Sequence, residues 1–420
     1  MNQPDELGKW DLEPVYGYRL RRVAKALSCL MEDTTGEPSW RRDFITEYPH
    51  RPHGGDEDIP QWTSFNDVET ELESLKGEVA QQAQGYQQSY FLGIINALRA
   101  NCSWASGQDR SYRTRASKVL QVPVGEIDEA LLLEIKERIR GLLATQGYKG
   151  SFDESVACWE RDLAIRPEEF IMATQELVAR AKEDTSRRIV SLPDGIESEI
   201  HAVRGVFFTG FSVSLGGYRS RNSFNLDVPW PHPRWRAIVL HETFPGHQAQ
   251  AVMRTLVART GHLPLEASFG YANSPESPLR EGAANLGLTF LGWQRGVDDE
   301  IQRLLAYLQS GVSLNLILRI YEEGMGEEEA VEYLRWQTGS RESWARTRFR
   351  FLQHRLWHPS FPHYWYGTCL MQNAFRIAER AGILADFYNW LYWIPNTVET
   401  LRDRIEETTG ERPGFEYPET

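Results

Sequence analysis

Apolar side chains recur at steps of three and four residues along most of this 420-residue chain, which is the period of an amphipathic α-helix. The spacing predicts helices over residues 67–100, Glu126–Thr145 and Pro167–Lys182. The last of these opens with a proline followed by two acidic residues, as helix starts often do. Beyond residue 280 the same period predicts further helices at Glu281–Trp293, Asp298–Tyr321, Glu327–Gln337, Arg341–Leu356, Trp365–Ala381 and Thr397–Thr408.

One stretch breaks this helical pattern. Residues 201–227 are rich in β-branched and aromatic side chains and are punctuated by glycines, which predicts short strands. Residues 36–64 are rich in Pro, Gly and charge and are interpreted as loop. The predicted fold is therefore mainly α, with a small β element just before the helix that carries His241.

The chain length allows more than one structural unit. The patterns divide it into an N-terminal helix and loop region (1–65), a helical subdomain (66–200) and a C-terminal subdomain (201–420), packed as one compact unit.

Charge and hydropathy narrow the range of partners. The formal net charge is −13, and no run of Lys and Arg forms a phosphate-binding stripe. This argues against nucleic acid and against an anionic membrane surface. The first residues, MNQPDELGKWDLEP, lack the basic start and apolar run of a secretory signal, and no segment approaches 18 uninterrupted apolar residues. The expected location is the cytoplasm.

The string HETFPGH, residues 241–247, is the strongest chemical signal. Neutral imidazoles bind Zn²⁺, and a neighbouring carboxylate can take a proton from a metal-activated water. His241 and His247 are the candidate ligands, and Glu242 is the candidate general base. The histidines are six residues apart, which on a regular helix separates them by about 120°. Pro245 lacks the N–H that would bond to the carbonyl of His241, so a kink or π-type bulge is expected there. From these residues alone, a metal site and a buried His pair at a helix end both remain open.

HETFPGH resembles the HExxPGH signature of the domain-of-unknown-function 885 family, a group of candidate metallopeptidases in the zincin-like superfamily. Further segments resemble family motifs in the same order along residues 200–380. They are SFNLD (223–227), REGAANLG (280–287), YEEGMGEEEAVEYLRWQTG (321–339) and YWYG (364–367).

This resemblance implies a large helical zincin-like fold and three further functional residues. It implies Glu281 as the third zinc ligand, which leaves a water position open on the metal. It implies Tyr364 as a phenol able to stabilise an oxyanion, and Asn225 as a strand residue beside the substrate. The chain departs from the family at Ala283, Ile317 and Tyr321, positions expected around the substrate pocket.

Other polar residues near Tyr364 are weaker candidates. His354, His358 and His363 cluster in sequence, and His358 and His363 are candidate substrate-binding residues. Five arginines are dense here, and one could receive a substrate carboxylate: Arg341, Arg346, Arg348, Arg350 and Arg355. A solvated helix face paired with nearby acids is the competing interpretation.

Together these observations predict a zinc metallohydrolase that uses one Zn²⁺ to cleave small peptides or amino-acid amides. Two alternatives remain. One is a divergent metal-dependent enzyme that acts on a non-peptide substrate of a small-molecule biosynthetic pathway. The other is a non-catalytic binding protein that retains the fold.

Overall fold

The computed structural model describes residues 16–35, 45–47, 62–108, 111–260, 269–354 and 358–418. Helices make up most of this part of the chain, so the prediction of a mainly α fold is confirmed. The helices of the first half are Tyr16–Thr35, Phe65–Gln82, Gly85–Ala105, Tyr112–Leu120, Glu129–Thr145, Phe152–Asp162 and Phe170–Arg188. Those of the second half are His232–Glu242, His247–Thr260, Ser277–Asn285, Gly287–Phe290, Gly296–Leu318, Glu327–Thr338, Glu342–Leu352, His363–Ala381, Leu384–Tyr392 and Val398–Thr409.

Several element predictions need correction. The run predicted over 67–100 is two helices, because the chain ends the first at Gln82 and restarts at Gly85, which has a positive φ of 55°. The helix Phe152–Asp162 was not predicted, although Ser151 and Glu154 form a capping box at its start. The helix predicted to reach Leu356 ends at Leu352, and residues 355–357 lie outside the described part.

The predicted loop at 36–64 contains a short strand. Strand β1 (Ile45–Glu47) pairs antiparallel with β5 (Phe269–Tyr271). Most of the remaining loop, residues 36–44 and 48–61, lies outside the described residues. Three residues within a predicted loop therefore form a strand where β5 offers a partner.

The strands predicted in 201–227 form a small mixed sheet. Its members are β2 (Glu197–Val203), β3 (Gly210–Gly216) and β4 (Arg219–Asn225), in the order β2–β4–β3. The central strand β4 runs parallel to β2 and antiparallel to β3. Gln248 joins this sheet to the helix that begins at His247. Its Oε1 accepts from Ser198 Oγ and Asn222 Nδ2, each at 2.9 Å.

Buried apolar residues from Tyr16 to Ile405 form one hydrophobic cluster. One segment of this cluster, Gly296–Glu323, is 28 residues long, and its most apolar 18-residue window has a mean hydropathy of 1.2, so by length and composition it could cross a membrane. However, 67% of its most apolar window is buried within the protein, as expected of a core helix in a globular domain. The boundaries at residues 65 and 200 remain predictions.

Two helices of the second half touch backbone to backbone. A Cβ added to Gly282 would lie 2.1 Å from the carbonyl oxygen of Gly367, and one added to Gly367 would lie 2.3 Å from that of Pro278. Only glycine permits this approach. The contact sets Ser277–Asn285 directly against His363–Ala381, and thereby places Glu281 beside the start of the second helix.

We expect Gly367→Ala to destabilise the protein by about 2–3 kcal/mol, because its methyl group must push two helices apart. Urea unfolding followed by circular dichroism measures this. Gly141→Ala is the matched control: it also lies inside a helix, but nothing is within 4 Å of the added Cβ. The control should gain about 0.5–1 kcal/mol from reduced backbone entropy. Equal stability of Gly367→Ala and wild type would contradict the close approach.

Candidate metal centre

The backbone between His241 and His247 breaks completely. One helix ends at Glu242 and the next begins at His247. The expected kink or π-type bulge within a single helix is therefore wrong. The break is instead held by hydrogen bonds from Gly246 N to Leu240 O and from Ala249 N to Thr243 O, each 3.1 Å. Tyr392 donates its hydroxyl to the buried carbonyl oxygen of Pro245 at 2.7 Å, which satisfies an acceptor inside the break.

Gly246 makes this return of the chain possible. A Cβ at this position would lie 1.9 Å from the carbonyl oxygen of His241. The second helix can start directly over the end of the first only because residue 246 has no side chain.

The break brings both imidazole rings to one point. His241 Nε2 and His247 Nε2 are 3.1 Å apart. Glu281 Oε2 lies 3.5 Å from His241 Nε2, and Glu281 Oε1 lies 3.3 Å from His247 Nε2. Glu242 Oε1 is farther, at 4.0 Å from His241 Nε2. The structure thus assembles both histidines and both acids that the sequence singled out.

Two side-chain amides orient the rings. His241 Nδ1 lies 2.9 Å from Asn285 Oδ1, and His247 Nδ1 lies 3.3 Å from Gln250 Oε1. Gln250 donates its Nε2 to the backbone oxygen of Arg280 at 3.0 Å, which fixes its amide orientation. Asn285 similarly contacts Thr368 Oγ1 through Nδ2 at 2.8 Å. Because an amide oxygen only accepts, each Nδ1 must carry the proton. In the neutral rings both Nε2 atoms then present lone pairs to the same point.

This donor set fits a divalent metal. Ligand atoms at about 2.0–2.1 Å from a tetrahedral Zn²⁺ lie about 3.3 Å from one another. The separations of 3.1, 3.3 and 3.5 Å among His241, His247 and Glu281 match that value. Ligand atoms of His241, Glu242 and His247 also lie within 4.8 Å of one another.

The charges around the cluster favour a cation. Burial alone would raise the pKa of Glu281, but His247, His363 and His241 hold it well below its usual range. Burial would lower the pKa of His241, yet its hydrogen bond to Glu281 and the field of Glu242 raise it to about 9. Burial raises the pKa of Glu242. Two carboxylates beside two imidazoles therefore attract positive charge to the point they share.

Tyr364 and His363 lie next to this cluster. Tyr364, His241 and Glu242 line one cavity of about 260 Å³. Burial, together with the charge of Glu281, raises the pKa of Tyr364 well above its usual range, so its phenol stays protonated. The His363 ring packs edge-on against Tyr364 at 4.3 Å between centroids, and burial lowers its pKa to about 4. His363 is therefore neutral near pH 7.

Asn225 is not placed in this cavity. It lines a neighbouring cavity of about 310 Å³, and its Nδ2 donates to Val206 O at 3.2 Å and Phe208 O at 3.1 Å. Asn225 therefore secures a loop, of which Phe207 and Phe208 line the metal cavity.

His358 is also separate from the metal cavity. Its Nδ1 donates to His354 O at 3.0 Å, and its Nε2 meets Arg115. Its ring stacks on Tyr321 at 4.7 Å between centroids. The substrate-binding role predicted for His358 finds no geometric support in the described residues.

The positions that depart from the family pattern do not surround the metal cavity as expected. Ile317 is buried in the core, and Tyr321 packs on His358. Ala283 is buried and lines a different, smaller cavity. Among the described residues, these three positions pack elsewhere in the protein and do not line the metal cavity.

Sequence reasoning overlooked Asn285 and Gln250. The sequence spacing could have identified both, because Asn285 follows Glu281 by four residues and Gln250 follows His247 by three. On a helix these steps place the amide on the same face as the ligand.

Two solved structures share this fold. A candidate lipoprotein from Colwellia psychrerythraea superposes with a TM-score of 0.56 at 16% identity, covering 84% of this chain and 65% of its own. A candidate lipoprotein of unknown function from Shewanella oneidensis superposes with a TM-score of 0.50 at 13% identity, covering 81% of this chain and 71% of its own. This chain therefore spans about two thirds of the length of the first.

At these identities the similarity shows the fold alone. No family model matches the chain, and no curated protein matches it. The resemblance to the domain-of-unknown-function 885 family thus rests on the motifs themselves.

We expect His247→Ala to lose its metal, because two remaining protein ligands no longer form a set of three. Metal content per chain, measured by plasma mass spectrometry after purification, should fall from about one to near zero. His201→Ala is the matched control, since His201 is exposed on β2. Unchanged metal content in His247→Ala would remove this ligand.

We expect Asn285→Ala to keep the fold but to bind zinc about 10- to 100-fold more weakly, because the His241 ring loses the acceptor that orients it. Competition with a chromophoric chelator measures the affinity. Asn373→Ala serves as control: this asparagine donates to Gly414 O and Glu416 O. Equal affinities of the two variants would show that Asn285 does not orient the ligand.

Proposed function

We propose that this protein is a zinc-dependent hydrolase with a zincin-like site, acting on small peptides or amino-acid amides. One observation carries the proposal: two Nε2 atoms lie 3.1 Å apart while both Nδ1 atoms are committed to amide oxygens. That arrangement prepares two ligands for one metal, and Glu281 supplies the third.

His241, His247 and Glu281 would hold the metal. Zinc bound there supplies Lewis acidity and a water nucleophile near neutral pH. Glu242 extends from the last turn of the helix that carries His241 and faces the cavity. Glu242 is thus next to the proposed ligands, but its carboxylate is farther from His241 Nε2 than that of Glu281.

Glu242 is suited to act as the general base. Burial raises its pKa, and the backbone N–H of Ser212 on β3 bonds to its carboxylate and fixes it. A carboxylate made more basic in this way accepts a proton from the attacking water and returns it to the leaving nitrogen.

Tyr364 is suited to stabilise the oxyanion. Its raised pKa keeps the phenolic proton in place, so it donates a hydrogen bond to developing negative charge. His363 is neutral, and its Nδ1 has no hydrogen-bond partner among the described residues. We therefore assign His363 to substrate contact beside Tyr364.

The size of the cavity favours small substrates. Its volume of about 260 Å³ is at the lower end of ordinary ligand sites. Phe207, Phe208 and Phe351 supply apolar walls. A non-peptide amide from a small-molecule pathway is the second candidate, and a panel of peptide and non-peptide amides with and without chelator separates the two. A non-catalytic binding protein would hydrolyse none of them.

The cytoplasm is the proposed location. The two similar structures are of candidate lipoproteins, so the cell envelope is the alternative that an experiment has to distinguish. Fractionation of cells that express the full-length protein decides between the two. No nucleic-acid or membrane partner is proposed.

We expect Glu242→Gln to retain zinc but to lose hydrolysis by at least about 100-fold, because an amide cannot accept the proton.

Tyr364→Phe should lower kcat by about 100-fold through loss of one oxyanion donor. Initial rates on dipeptides and aminoacyl amides test both. Glu134→Gln, an exposed helix position, is the control. Full activity of Glu242→Gln would exclude this base.

A further inference from the structure

Among the residues that the structure describes, the wall of the metal cavity contains an arginine that lacks a counter-ion. Its lining includes the guanidinium groups of Arg234, Arg303 and Arg348 and the carboxylates of Glu242 and Asp299. Two of the three arginines are neutralised: Arg234 Nη2 lies 2.7 Å from Glu160 Oε1, and Arg303 Nε lies 2.8 Å from Glu300 Oε2.

Asp299 is likewise paired, because its Oδ2 lies 3.2 Å from Arg236 Nη1. Among the described residues, Arg348 has neither an ion pair nor a hydrogen bond to protein.

Within the described part of the chain, aromatic rings and not acids surround the Arg348 guanidinium. Its Cζ lies 4.9 Å from the ring centroid of Trp344, 5.6 Å from that of Phe361 and 5.9 Å from that of Phe351. Such contacts attract a cation but leave its N–H donors without acceptors. Burial accordingly lowers the pKa of Arg348 to about 10. Arg348 is partly buried, and a cation held against apolar rings without an anion is costly, so its retention points to an anion from outside the chain.

Arg348 is close to the reacting groups. The Phe361 ring lies 5.3 Å from the Tyr364 ring, and the Phe351 ring lies 6.3 Å from it. The same two rings contact Arg348, so about one aromatic ring separates its guanidinium from the phenol. The charges of Arg348, Glu281 and Glu242 all act on Tyr364. Arg348, Tyr364, His241 and Glu242 also line the same cavity, so an anion bound at Arg348 and a carbonyl held at the cluster would share it.

We infer that Arg348 receives a substrate carboxylate carried by the residue next to the scissile amide, such as the C-terminal residue of a short peptide or an N-acyl amino acid. A planar guanidinium can bind both carboxylate oxygens at once. This inference rests on the proposed function and narrows it to exo-acting cleavage at a free carboxyl end. The apolar walls then accept the side chain of that residue.

The test compares two substrates that differ only in this charge: an N-acyl amino acid or acyl-dipeptide with a free carboxylate, and its C-terminal carboxamide. We expect wild type to prefer the acid. In Arg348→Gln the ratio of kcat/KM for acid over carboxamide should fall by roughly 10- to 100-fold. In Arg348→Lys, which keeps the positive charge but lacks the planar pair of donors, this ratio should lie between those of wild type and Arg348→Gln. Arg350→Gln is the control, because Arg350 is exposed two residues along the same helix and should keep the wild-type ratio.

A binding measurement separates this inference from the proposed function. Calorimetry with 3-phenylpropanoate and 3-phenylpropanamide should show a preference for the acid in wild type and Arg350→Gln, and loss of that preference in Arg348→Gln. Thermal unfolding of Arg348→Gln should be unchanged or shifted upward, because an unpaired and partly buried charge is removed. Equal affinity of Arg348→Gln and wild type for the acid overturns the subsite. Preference for the acid that depends on Arg348 while no substrate is hydrolysed upholds the subsite and removes the hydrolase.

Discussion

The rings of His241 and His247 meet because the backbone at Gly246 passes directly over the carbonyl of His241. A Cβ there would lie 1.9 Å from that oxygen, so the return of the chain is available to glycine alone. The hydroxyl of Tyr392 then fixes Pro245 from the far side, and Gln248 joins the start of the next helix to the sheet. The local bend is thus built into the core on both sides and does not rely on the ligands to hold it.

A second close approach completes the site. Gly282 and Gly367 let two helices touch through their backbones, and this contact brings Glu281 close enough to Tyr364 for its charge to raise the pKa of the phenol. The resulting field is uneven. Two carboxylates and two imidazoles attract a cation at one end, while Arg348 offers positive charge near the other. A substrate with a polar carbonyl and a nearby carboxylate matches this distribution of charge.

Sequence reasoning was strongest where a physical period or a short motif fixes the outcome. Helical spacing predicted most helices of the second half, and the His-Glu-His string predicted which side chains would meet. It failed where the answer depends on which groups lie nearby in space. Asn225 and His358 are polar and well placed in sequence, but their hydrogen bonds are used for packing. Arg348 resembled its neighbours in a dense basic run, and only the fold shows that Arg346 is paired and Arg348 is not.

The amides behind the histidines link the chemistry of the cluster to stability. Buried polar groups are costly unless their hydrogen bonds are satisfied, and here Asn285 and Gln250 satisfy one nitrogen of each ring. The remaining Nε2 lone pairs and the Glu281 carboxylate converge on one point, where a cation satisfies all of them at once. A metal that binds only the folded chain therefore adds stability that grows with the logarithm of its free concentration over Kd. The geometry that suits the cluster to a cation thus also links the stability of the folded chain to metal binding.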